Sequence, residues 1–152
     1  MIGEEYFTAL IQQVNTEHRA LHRRINEVQK LLLIPHEAKI APPATMELRA
    51  ALADLRECIA GHFCQEECGG CLEEVVVRMP RLAHELTILE KQHGPLMEHL
   101  TRIIDEMPPG ETTIAAWQHT ATEFERFARD LLIHEADEEK ILQQGLNEEL
   151  NP

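Results

Sequence analysis

Four long stretches of this chain carry apolar residues at three- and four-residue steps, and prolines and glycines punctuate the gaps between them. The first, about residues 4–33, puts Phe7, Ile11, Val14, Leu21, Ile25, Val28 and Leu32 on one face. The second, about 45–79, opens at Thr45 as an N-cap and carries Leu48, Leu52, Leu55 and Ile59. In the third, about 81–107, Leu82, Leu86, Leu89, Leu96, Leu100 and Ile104 stay in phase across Gly94-Pro95, which predicts a kinked helix rather than two. The fourth, about 113–145, carries Trp117, Ala121, Phe124, Phe127, Leu131, Ile141 and Leu142. No stretch alternates with a two-residue period. Four amphipathic helices on short connections predict an all-α fold, an up-down-up-down four-helix bundle, with residues 1–152 as a single domain.

Composition narrows the partners. There are 27 acidic and 14 basic residues, a net charge of -13, which argues against nucleic acid and against an anionic membrane surface. No apolar run approaches the roughly 20 residues needed to span a bilayer. The acidic start, Glu4-Glu5, does not open a secretion signal. All four cysteines fall between Cys58 and Cys71 and cannot staple distant parts of the chain, so a reduced, cytoplasmic setting is expected. No Gly-rich phosphate loop or recognisable nucleophile–base pair is present, and no catalytic residue is assigned.

Chemistry enters where polar residues occupy the apolar stripes. At roughly 100° per residue, His18 falls between Val14 and Leu21, and His62 follows Leu55 and Ile59 with Glu66 one turn on. His93 continues the Leu86, Leu89 series, and His134 follows Phe127 and Leu131 with Glu138 one turn on. The heights agree as well. His18, Glu66 and His93 each lie about 13–14 residues from a helix end, level within a few Å at 1.5 Å per residue. His134 fits less well, about 21 residues from Thr113, so the last helix either overhangs the bundle or opens with an irregular turn.

A single histidine on an apolar face is ordinarily a hydrogen-bonded core residue. Four of them with two glutamates at one level need more, because an unpaired buried carboxylate costs several kcal/mol and two repel. Cations accepting nitrogen and oxygen donors remove both costs. Six or seven ligands on four helices exceed one tetrahedral zinc and suit two higher-coordinate ions bridged by carboxylates. Iron accepts this donor set, and manganese, cobalt or zinc could occupy the same cage.

The motifs Glu17-His18 with Leu21, His62-Phe63-x-x-Glu66-Glu67, Lys91-Gln92-His93-x-x-Leu96 and His134-x-x-x-Glu138-Glu139 follow one another from residue 17 to about residue 142. In that order and spacing the chain resembles the hemerythrin-like, or HHE cation-binding, family. The resemblance implies two non-haem iron ions at the bundle centre, bridged by Glu66 and Glu138, with His18, His62, His93 and His134 as terminal ligands. It also implies dioxygen or nitric oxide as partners, in carriage, sensing, storage or detoxification. Two features depart from the oxygen-carrying members. Leu89 and Met97 flank His93 where a second histidine would stand, and the last carboxylate follows its histidine by four residues rather than five. His22, one turn after His18 on the flank of the stripe, is either a further ligand or a partly exposed polar residue. The expected function is a di-iron protein that binds or senses dioxygen or a related small ligand. The alternative is a redox protein that reduces nitric oxide or peroxide, or handles iron for cluster repair.

Other polar residues read differently. His36, His84, His99 and His119 are expected to be solvated. Glu67 and Glu139 point about 100° away from the stripes, and Glu73 is a potential second-layer residue. Cys64, Cys68 and Cys71 align opposite His62, either as small fillers against another surface or as a redox-sensitive or soft-metal patch. Blocking those thiols is expected to leave an iron spectrum unchanged.

Overall fold

The first stretch forms a single helix, α1 (Glu4–Leu33), whose buried residues recur from Phe7 through Val28 along one face. This computed structural model describes residues 3–68 and 70–150. A two-residue strand, β1 (Lys39–Ile40), leads into α2 (Pro42–Glu67). This helix starts at the prolines rather than at Thr45, because the first turn needs no N–H donor at those positions and proline presets its φ. Thr45 is buried inside the helix.

The second stretch is not continuous to residue 79. It stops at Glu67, with Cys68 leaving helical geometry at φ -103° and ψ 47°, and restarts as α3 (Cys71–Arg78). A Cβ on Gly70 would lie 2.8 Å from the Gln65 carbonyl oxygen, so the chain turns back over α2 at a distance only glycine allows. On a continuous helix Leu72 and Val75 would stand about 220° and 160° round from Ile59, so it is the turn that brings both into the core and leaves Glu73 exposed.

A 3-10 turn at Pro80–Leu82 precedes α4 (Ala83–Glu106), which runs unbroken through Pro95. Strand β2 (Thr112–Thr113) then pairs antiparallel with β1, Ile40 opposite Thr112. The last helix, α5 (Ile114–Leu150), is longer than expected; the Thr113 hydroxyl accepts from the Ala116 N–H at 3.1 Å and caps its start.

Among the described residues, the four long helices form a helical bundle in which α1 packs on α2 and α5, and α4 packs on the same two. None is long and apolar enough to cross a membrane. The extra length of α5 is covered by α3: Gly145 lies so close to Val75 that an added Cβ would meet its methyl at 3.2 Å.

The core is divided. One apolar cluster gathers Leu21, Leu55, Phe63, Leu100 and Phe127 towards one end of the bundle, and the other gathers Phe7, Val14, Leu72, Leu89 and Leu142. The helices α1, α4 and α5 each pass from one cluster to the other across a histidine, whereas α2 lies in the first cluster and α3 supplies the second.

Candidate metal centre

Between the two apolar clusters lies a polar layer. His18, His62, Glu66, His93, His134 and Glu138 are all buried, with Glu138 fully inaccessible. They form two donor sets, His18, His62, Glu66 and Glu138 on one side, and Glu66, His93, His134 and Glu138 on the other. Within each set one donor atom per residue lies within 4.8 Å of the others, the span of two metal–ligand bonds of about 2.0–2.6 Å. Both carboxylates belong to both sets.

The division is atom by atom. Glu66 directs Oε1 to His62 and places Oε2 3.2 Å from Nε2 of His93. Glu138 places Oε1 3.4 Å from Nε2 of His18 and Oε2 3.5 Å from Nε2 of His134. None of these four oxygens has hydrogen-bond geometry to any donor, nor have Nε2 of His93 and His134, although all are buried. Buried polar atoms left this way are costly, and a cation between them satisfies all at once.

The far side of each ring is held. Nδ1 of His18 donates to Glu139 at 2.9 Å, of His62 to Glu17 at 2.6 Å, of His93 to Glu67 at 2.8 Å and of His134 to Gln92 Oε1 at 2.8 Å. With the proton on Nδ1, every Nε2 presents a lone pair inward, the arrangement that outer partners impose on metal-binding imidazole. The Nε2 atoms of His18 and His62 then face each other at 3.1 Å, a contact that a shared proton or a metal ion satisfies. The ring of Phe63 stacks on His93 with centroids 3.8 Å apart and fixes that side from the apolar cluster.

Electrostatics agree. Burial favours neutral His18, but the carboxylates of Glu138 and Glu139 outweigh it and raise the pKa to about 9. His62 and His93 are raised in the same way: burial opposes, and Glu66 with Glu17 or Glu67 prevails. For Glu66, burial opposes ionisation, yet His62 and His93 hold it well below the ordinary carboxylate range. The layer thus attracts positive charge, and these buried His/Glu groups could hold a metal ion.

His22 is in neither donor set. Its half-exposed ring instead lies 2.5 Å, through Nε2, from Glu135 Oε2. Glu135 was missed by the sequence pattern: it sits beside His134, yet is buried, with Oε1 unpartnered. Burial raises its pKa, against the pull of His18 and His22. Glu67 and Glu139 do point off the stripes, but each reaches a ring on another helix. An acidic or amide residue flanking every ligand except His62 in sequence was the signal for them.

The remaining expectations divide. Glu73, His84 and His119 are exposed. His99 is half-buried, 3.0 Å from Glu123, and His36 is half-buried edge-on to Trp117, because the β1–β2 clasp folds its loop back on α5. Cys64 and Cys68 are exposed, whereas the Cys71 side chain lies outside the described residues. No protein-family model, no curated protein and no solved structure matches this chain.

Proposed function

We propose that this chain is a hemerythrin-like protein, an up-down-up-down bundle that holds two non-haem iron ions and binds or senses dioxygen or a related small ligand such as nitric oxide. The reading includes the cytoplasmic setting expected from the cysteines. The observation that carries it is the sharing of Glu66 and Glu138 by two donor sets, each completed by its own pair of histidines. Two imidazoles and two carboxylates per ion suit iron, though manganese, cobalt and zinc accept similar donors. Iron bound there would supply reversible electron transfer to a small ligand.

The chain's own residues do the rest. Glu17, Glu67, Glu139 and Gln92 hold the ring tautomers, and the two apolar clusters keep bulk water from the layer. Six carboxylates, those of Glu17, Glu66, Glu67, Glu135, Glu138 and Glu139, surround it and suit it to several positive charges.

A second reading, reduction of nitric oxide or peroxide or the handling of iron, is favoured by Glu135 and His22. The pair links a half-exposed ring to a buried carboxylate beside the layer, where protons consumed by a reduction would have to arrive. Anaerobic loading with ferrous iron tests both. Metal analysis should give two irons per chain; less than roughly one-tenth of an iron per chain would overturn the assignment, since occupancy and folding free energy are linked. A stable, reversible spectrum on mixing with dioxygen supports binding, and rapid irreversible oxidation with turnover supports the redox protein.

A further inference from the structure

The last turn of α2 ends on two thiols that the buried layer does not use. Cys64 and Cys68 face solvent one turn apart, with their sulfurs at 3.9 Å. Cysteine is ordinarily among the most buried residue types, and neither thiol is covered by packing here. Both line a cavity of about 300 Å³ together with Glu17 and Glu66.

Their spacing is fixed by backbone. The Cys68 N–H donates to the Cys64 carbonyl at 3.0 Å, and Gly70 folds the chain directly back over Gln65. In a tetrahedral thiolate site with metal–sulfur bonds of about 2.3 Å, neighbouring sulfurs stand about 3.8 Å apart. The two sulfurs already hold that edge, in a chain of net charge -13.

We propose that Cys64 and Cys68 form a second, separate metal site for a soft, thiophilic cation of the cadmium or copper(I) class. Two thiols bind a divalent ion as two thiolates and release two protons to solvent, with the remaining positions open to water or a small thiol. The buried layer offers nitrogen and oxygen donors but no sulfur, so ligand softness separates the two sites.

Cadmium(II) added to the full chain tests this. One equivalent should saturate an ultraviolet sulfur-to-cadmium charge-transfer band and slow alkylation at Cys64 and Cys68, mapped by peptide mass. Cys64→Ser and Cys68→Ser should each abolish the band while circular dichroism stays that of the parent, since both positions are exposed. Cys58→Ser and His93→Ala should keep it. A band that survives in the Cys64→Ser, Cys68→Ser double variant, or alkylation of both thiols at the metal-free rate under saturating cadmium, overturns the proposal.

Discussion

Glu66 divides its carboxylate between two imidazoles on different helices, Oε1 towards His62 on its own helix and Oε2 3.2 Å from Nε2 of His93 on α4. Glu138 does the same for His18 and His134. A carboxylate shared in this way couples the two donor sets. Glu66→Gln keeps the shape and removes the charge, so it should weaken both ions together. The expected loss is about 100-fold or more, given that removal of an outer partner alone costs about 10–100-fold. Chelator competition reads the affinity. If one ion binds Glu66→Gln as tightly as it binds the parent, the shared arrangement is wrong.

The outer partners should act one half at a time. Gln92 accepts from His134 Nδ1 at 2.8 Å, a ligand of one donor set only. Gln92→Leu should therefore weaken the ion at His93 and His134 by about 10–100-fold. The ion at His18 and His62 should lose far less. Stepwise titration with two resolved phases gives the answer, and an equal loss in both phases would contradict it.

How much of this was legible depends on direction. Residues that interrupt an apolar stripe were visible because phase along one helix is enough to place them: His18 between Val14 and Leu21, His93 between Leu89 and Leu96. Residues that serve a neighbouring helix were not. Glu67 and Glu139 look outward from their own stripes, yet a bundle helix has two neighbours, and a side chain on its flank reaches the ring next door. Glu135 is hidden for the same reason, turned from α5 towards His22 on α1. His22 shares a side of α1 with His18, but a one-turn step along the helix carried it past the layer. The break after α2 was signalled by Gly69-Gly70 and by Leu72 and Val75 falling out of phase with Ile59.

That break yields a sharp contrast between two glycines. An alanine Cβ at Gly70 would lie 2.8 Å from a backbone oxygen that cannot move aside, so Gly70→Ala should destabilise by about 1–3 kcal/mol, the usual cost of overpacking. At Gly145 the nearest atom is a Val75 methyl at 3.2 Å, a side chain that can yield, so Gly145→Ala should cost under about 1 kcal/mol. Urea unfolding of the two variants decides it. Equal losses would mean that the turn at Gly70 is looser than its close approach implies.

Protons and metal should compete for the same layer, with opposite signs in pH. In the metal-free protein the His18 pKa rises from 6.5 to about 9, so its contribution is fully present below 6.5 and is lost as pH climbs through about 9. His62 and His93 are raised too and act in the same direction. Glu66 is lowered, and its contribution is present above 4.5 and lost only well into acid. Metal-free stability should therefore fall by the order of 1–3 kcal/mol between pH 6.5 and pH 9. Metal needs the inward nitrogens free of protons, so the rise in Tm on adding metal should grow over the same interval. Thermal melts with and without metal at the two pH values measure both slopes. A metal-free Tm that does not fall, or a metal increment that shrinks as pH rises, would show that the histidines do not hold protons where the ions are expected to sit.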